Sequence, residues 1–453
     1  MGHPSVIASD ARRLHMRGPR ALIVMAFAGL CVILSGSLAP IAAQDASPAV
    51  EPSSAAGTST LPEGFTRKMA DAVDEVIAET VPVRQLPAAE GVTFRVVDAE
   101  TFSEELKDLF RSEFPDDYVA AEDDLFTRLG LLDADDDLEQ LILSLYESQV
   151  LAYYDPVTKT FSLIGPLTEI EAFEALIVSH EYGHAMQDAR WDIDGTRIRD
   201  LSRSDEILAH NALAEGDATA LMYDWAAREL KLAQLLRISG EALTRQDDKV
   251  LARVPPILRR QLEFPYVDGL AFVMALRGRG DWAAVDEAWV ARPQSTEQIL
   301  HPDLYPDEAP VEVVLPDIAA LLGPEWMTSY AQTMGEVQIG VWVADGRKPE
   351  TLFLKLPGQL PRAEAAAGWG GDRLVSLDGP DGSWAVVWQT DWDTAADAAE
   401  FRKAARDAMK DLGGAHQVVD VDIAGGLSSP VLVMVADSKG TLDAVETALG
   451  LGS

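Results

Sequence analysis

Apolar residues recur along this chain with different periods in different stretches. Near the amino terminus Arg12, Arg13, Arg17 and Arg20 lead into an apolar run over residues 21–34, which ends in small residues and Ile41-Ala42-Ala43. A basic start, a short apolar stretch and a small-residue exit predict a secretory signal peptide over residues 1–43. Residues 44–61 are rich in Ala, Ser, Pro, Gly and Thr and read as a flexible linker. From residue 62 to 335 the period is mostly helical. Ile170, Phe173 and Ile177 form one apolar stripe, with Thr168 and Glu171 predicting a capping box at its start. Ile207, Leu208, Ala212, Met222 and Trp225 supply the buried face of a second long helix over residues 204–235. Residues 149–154 and 160–164 read as two strands joined by the turn Asp155-Pro156-Val157-Thr158-Lys159.

Past residue 335 the pattern changes. Strands are predicted over residues 373–377 and 384–389 around a Gly379-Pro380-Asp381-Gly382 turn, then a helix over 394–412, strands near 418–423 and 431–435, and a last helix. The fold class expected is α+β, with a helical unit over residues 62–335 and a small α+β domain over residues 336–453.

Composition narrows the setting. Seventy-four acidic against thirty-seven basic residues give a formal charge of −37, which repels nucleic acid and anionic lipid, so neither is an expected partner. The densest acidic run, Asp133, Asp135, Asp136 and Asp137, lacks the glycine and closing glutamate of an EF-hand loop and reads as a solvated helix start. The single cysteine, Cys31, falls inside the segment to be removed, so the mature chain has neither disulfides nor a thiolate metal ligand. A secreted protein with no stable membrane insertion after cleavage is expected; an uncleaved anchor is the alternative, and Met16 is a second possible start.

The chemistry concentrates at His180-Glu181-Tyr182-Gly183-His184. Positions four apart on a helix lie one above the other, so His180 and His184 can share one metal ion, and Glu181 can reach water beside it without being a ligand. Catalytic zinc takes three protein ligands. A third histidine in the metzincin position is excluded, because Gln187 and Arg190 stand at the last two named positions of that pattern. Asp200, after Gly195-Thr196, is one residue out of place for an aspartate ligand of the aspzincin type. Glu215, in Ala214-Glu215-Gly216-Asp217-Ala218, is the preferred third ligand. A carboxylate among small residues is costly to bury without a cation, and small neighbours let two helices approach closely.

With these residues the chain resembles gluzincin-type zinc metallopeptidases, and more narrowly the secreted bacterial metallopeptidases that pair an H-E-x-x-H helix with a downstream E-G-D-A helix. Tyr153-Tyr154-Asp155-Pro156, His184-Ala185-Met186-Gln187-Asp188, Phe264-Pro265-Tyr266, Ser295-Thr296-Glu297-Gln298 with His301-Pro302, and Gly368-Trp369-Gly370-Gly371-Asp372 extend the likeness over most of the mature chain. The resemblance implies a zincin-like fold for the helical unit and an edge strand, supplied by the hairpin near residue 155, that pairs with extended substrate. It implies Zn2+ held by His180, His184 and Glu215, with Glu181 as general base in hydrolysis of peptide or protein substrates. One departure is Thr219, four residues after Glu215, where thermolysin-like enzymes have an aspartate that orients a ligand histidine. Asp188 and Asp217 are the candidates for that role here. The donor for the developing oxyanion stays open among His210, His301, Tyr153, Tyr154 and Arg190, with His210 about 140° around its helix from Glu215. The other functional class to weigh is an exported binding or scaffold module that keeps the fold without hydrolysis.

Overall fold

The computed structural model describes residues 25–27, 61–245, 253–344 and 363–452. Apart from residues 25–27 and 61, the expected signal peptide and linker lie outside the described residues. Among the described residues no helix is long and apolar enough to cross a membrane.

Strand β1 (Met25–Phe27) is followed by helix α1 (Arg67–Arg84), whose N-cap Thr66 accepts from the Met69 N–H. Then come β2 (Thr93–Val97), α2 (Ala99–Glu113), α3 (Asp116–Arg128) and α4 (Leu138–Gln149). Asp137 caps α4 through the Gln140 N–H, so the acidic run does lead into a helix. Strands β3 (Val150–Asp155) and β4 (Thr160–Ile164) form the expected antiparallel hairpin, in a four-stranded sheet of order β1-β3-β4-β2. Strand β2, which the hydrophobic pattern did not reveal, runs parallel to β4. It is masked by Arg95 at its centre, a charge that Glu105 and Ser162 neutralise and bind in the folded chain.

Helix α5 (Ala172–Trp191) carries the histidine motif. Its capping box is Glu171 with Glu174, not Thr168 with Glu171; the chain stays non-helical through Ile170, so the box forms one turn later than expected. The long helix expected over residues 204–235 is two: α6 (Ser204–Glu229) stops where Leu230 turns extended, and α7 (Leu232–Arg245) follows. Helix α8 (Pro256–Val290) is kinked at Gly280 and Asp281, and the short α9 (Thr296–Leu300) and α10 (Ile318–Leu322) lead out of the helical unit.

The rest is β5 (Met327–Gln332), α11 (Gly335–Val343), β6 (Trp369–Asp378), β7 (Trp384–Trp392), α12 (Ala395–Ala408), β8 (Ala415–Val419), β9 (Val431–Ala436) and α13 (Lys439–Ala448). The strands make one antiparallel sheet of order β5-β6-β7-β9-β8. The sheet therefore begins before residue 336, because β5 crosses back to pair with β6. The chain is mixed α and β, as its fold class predicted.

Two close approaches set the helical unit. Helix α5 packs among α1, α6 and the β3 side of the first sheet. Helices α6 and α8 meet backbone to backbone: a Cβ on Gly216 would lie 2.2 Å from the Gly269 carbonyl oxygen, and one on Gly269 would lie 2.2 Å from that of Ala212. Neither backbone can yield, so both positions require glycine. Asp372 ties the start of α11 to the second sheet, accepting from the backbone N–H groups of Met334 and Gly335 and the indoles of Trp369 and Trp388, while Arg128 of α3 reaches across to Ser376 and Asp378 on β6. Gly335, at φ 69°, passes so close to Asp205 that a Cβ would meet its carboxylate at 1.7 Å.

Candidate metal centre

Helix α5 is buried nearly all round, from Phe173 to Asp188 except Ile177, so its polar residues face protein and not solvent. His180 and His184 lie one turn apart with their rings edge to face, centroids 4.8 Å apart and planes at 81°. Gly183 between them keeps the neighbouring helix close: a Cβ there would lie 3.0 Å from Leu221 Cδ2 and 3.5 Å from Ala218 Cβ on α6. That approach brings Glu215 over the histidine pair. His180 Nε2 is 3.1 Å from His184 Nε2 and 3.1 Å from Glu215 Oε2, and His184 Nε2 is 3.4 Å from the same oxygen. A tetrahedral ion with bonds of about 2.0–2.1 Å has edges of about 3.3–3.4 Å; one of the three separations matches and the other two are about 0.2 Å shorter, so the group could hold a small metal ion. Among the described residues they are the only His, Cys, Asp or Glu group of three whose ligand atoms lie within 4.8 Å of one another.

The orientation of His184 is fixed by a residue the sequence reading passed over. Its Nδ1 lies 2.9 Å from Gln187 Oε1, while Gln187 Nε2 donates to the Ala214 carbonyl at 3.1 Å. That second bond decides which way the amide points, so the Gln187 oxygen faces the ring, Nδ1 carries the proton, and the Nε2 lone pair faces the centre. Asp188 and Asp217, the expected partners, bond to neither histidine. Asp188 accepts from the Tyr154 hydroxyl and the Ile193 N–H where α5 ends. Asp217 takes two bonds from the fully buried Arg84 and one from the Trp289 indole. Losing either member of such a buried pair costs about 3–5 kcal/mol. Asp217 thus ties α6 to α1 and α8, with no bond to His180, His184 or Glu215. His180 Nδ1 is buried without a hydrogen-bond partner among the described residues.

The three side chains are electrostatically coupled. Burial drives the His180 imidazole down. At His184 burial also pulls down, but the Glu215 carboxylate, helped by Glu181 and Gln187, outweighs it and lifts the group to about 9. Against burial, the two imidazoles hold Glu215 below the usual carboxylate range. A divalent ion bound there would compete with protons for the same three donors. Glu181 is fully buried on the same helix, with its charge felt by both His184 and Tyr266.

Tyr266, on α8, is the other residue the sequence reading left unassigned. Its ring lies 6.2 Å from that of His180 at 27°, and its hydroxyl hydrogen-bonds Glu215. Burial, then the carboxylates of Glu215 and Glu181, keep its phenol protonated and so a donor. The available signal was a proline inside a helical pattern beside an aromatic, Pro265-Tyr266, one turn before Gly269, where α8 meets α6 backbone to backbone.

The five oxyanion candidates lie elsewhere. His210 faces Glu206, and His301 lies 3.0 Å from Glu336. Tyr153 bonds Glu105, Tyr154 bonds Asp188, and Arg190 covers Trp191. Asp200 is apart from the histidines, accepting from the backbone and hydroxyl of Ser202 at the edge of a separate cavity lined by Asp205, Trp369 and Arg373.

Comparison with known proteins reaches only the second sheet: residues 326–445 match a domain family described as a domain of unknown function, DUF8575. No curated protein and no solved structure matches the chain. The similarity that is found thus covers the sheet from β5 to α13 and leaves the histidine centre outside it.

Proposed function

We propose that this protein is a secreted zinc metallopeptidase of gluzincin type, with a zincin-like helical unit and Glu181 as general base. The observation that carries the reading is the triangle of His180, His184 and Glu215 donor atoms at 3.1–3.4 Å. A zinc ion held there would lower the pKa of water toward about 7 and polarise a carbonyl. Glu181 accepts the proton of the attacking water and hands it to the leaving amine, a carboxylate being the right base when desolvated beside the reacting atoms. Gln187 holds His184 in its ligating tautomer. The Tyr266 hydroxyl, placed beside Glu215, donates to the oxygen on which negative charge develops.

Substrate binding follows from the hairpin. The outer edge of β3, beside α5, takes Met25–Phe27 of the same chain as an antiparallel strand, so its backbone groups are presented for pairing. Removal of residues 1–43 would free that edge for an extended peptide, with affinity coming from the backbone and little from side chains.

Elemental analysis of the mature chain, purified without added metal, tests the reading: one zinc per chain and turnover of unstructured peptides are expected. Absence of zinc after reconstitution would overturn it. Tyr266→Phe tests the donor. It is expected to lower kcat by about 10²–10³-fold with zinc content and KM little changed, the cost of removing one oxyanion donor. An unchanged kcat would return Tyr266 to a structural role.

A further inference from the structure

A small cavity of about 40 Å³, partly open to solvent, lies where the chain between α5 and α6, the first half of α6 and the end of α8 meet. Three of its lining side chains carry hydrogen-bond donors that the described residues leave unmatched. Arg292 bonds the Thr196 carbonyl at 3.1 Å and the Thr196 hydroxyl at 2.6 Å, which takes up two of its five N–H groups, and it forms no ion pair among the described residues. His210 has no hydrogen bond there, its Nε2 lying 3.9 Å from Glu206 Oε1. The side-chain amide of the adjacent Asn211 also has none.

An arginine held this way is unexpected in a chain with seventy-four acidic and thirty-seven basic residues. Arg84, Arg197 and Arg260 are buried too, and each meets a carboxylate, from Asp217, Glu113 and Asp268 respectively. At Arg292 burial draws the pKa down with no carboxylate to offset it. A guanidinium stays charged even so, and desolvating it without a counter-ion is costly. Its position is fixed by the Thr196 bonds and by Trp289, whose ring centroid lies 5.3 Å away and which stacks in turn on Trp191.

We propose that Arg292, His210 and Asn211 form a binding pocket for a small carboxylate with an apolar body. Two carboxylate oxygens offer about four acceptor sites, enough for the guanidinium fork, one imidazole N–H and the Asn211 amide. At about 10–15 Å³ for each water position the cavity has room for that head group and little more. The body then rests on the half-buried Ile198 and Ile207 at its rim. The charge balance favours a monoanion. Burial, then Arg292 and Arg203, push the His210 imidazole down to about 4, so it is neutral, and the nearby Arg197 is already paired with Glu113 and Asp194. A phosphate group, at about −1.5 to −2, would exceed the one positive charge on offer. The pocket is independent of the reading of the histidine centre.

The test is calorimetric titration of the full chain with phenylacetate, its neutral counterpart phenylacetamide, and inorganic phosphate. Phenylacetate is expected to bind at least about 10-fold more tightly than either of the others, the worth of a hydrogen bond to a charged group. Arg292→Gln should weaken it by about 10–100-fold, and Asn211→Leu, which keeps the side chain's size and leaves Arg292 in place, by about 10-fold. Should Arg292→Gln fail to fold, Asn211→Leu carries the test alone. Phenylacetate binding unchanged by either substitution would belong to another part of the molecule and overturn the pocket. Equal affinity for phenylacetate and phenylacetamide would remove the charge pairing, and phosphate binding more tightly than phenylacetate would overturn the ligand class. No binding of phenylacetate would sink the proposal.

Discussion

Glu181→Gln is expected to leave the protein folded and loaded with zinc while peptide turnover falls by about 10²–10⁴-fold, the range that a positioned general base contributes. The substitution preserves shape and removes the one property the role needs, a lone pair basic enough to take a proton. Glu181 is fully buried on a helix whose buried face runs nearly all round, so replacing its charge with a neutral amide removes a desolvation cost without creating a cavity. A drop in turnover with zinc retained separates the chemistry from the scaffold. Turnover that survives the change would remove Glu181 from the mechanism. A wild-type protein that holds zinc and hydrolyses no peptide, with the variant indistinguishable from it, would instead favour the exported binding module.

The second large effect concerns the third ligand. Glu215→Gln is expected to weaken zinc by more than about 100-fold, beyond the 10–100-fold that loss of an orienting partner costs, and to abolish turnover with it. Asp200→Asn is expected to change neither. The contrast rests on position: Glu215 Oε2 lies within 3.4 Å of both imidazole nitrogens, while Asp200 spends its carboxylate on Ser202. Equilibrium zinc competition on the two variants decides between them. Zinc lost from the Asp200 variant and kept by the Glu215 variant would reverse the ligand assignment.

The parts of this molecule that could be read in advance are those governed by spacing along one element. The hairpin before the motif helix was legible because strand alternation and a Pro-containing turn sit within one short stretch. Strand β2 was not, because Arg95 interrupts its apolar pattern and finds partners only in the folded chain. At the start of α5, Thr168 and Glu171 satisfy the same local rule as Glu171 and Glu174, and only the path of the chain out of β4 selects the later pair. The fifth strand of the second sheet is hidden for a like reason: β5 precedes the change of pattern and reveals itself by pairing with β6.

The same division runs through the site. The sequence by itself determined that His180 and His184 share a helix face and that Glu181 sits beside them, since a spacing of four on a helix is local geometry. It also made Glu215 the preferred third ligand, but with Asp200 still in contention. Only the tertiary structure decided that Gln187 and not Asp188 or Asp217 steadies His184, and that Tyr266 stands over His180. The first depends on where α5 meets α6, at Gly183, and the second on where α8 meets α6, where Gly216 and Gly269, far apart in the chain, touch backbone to backbone. Periodicity says which face a residue occupies; it carries no information about which other helix that face will meet.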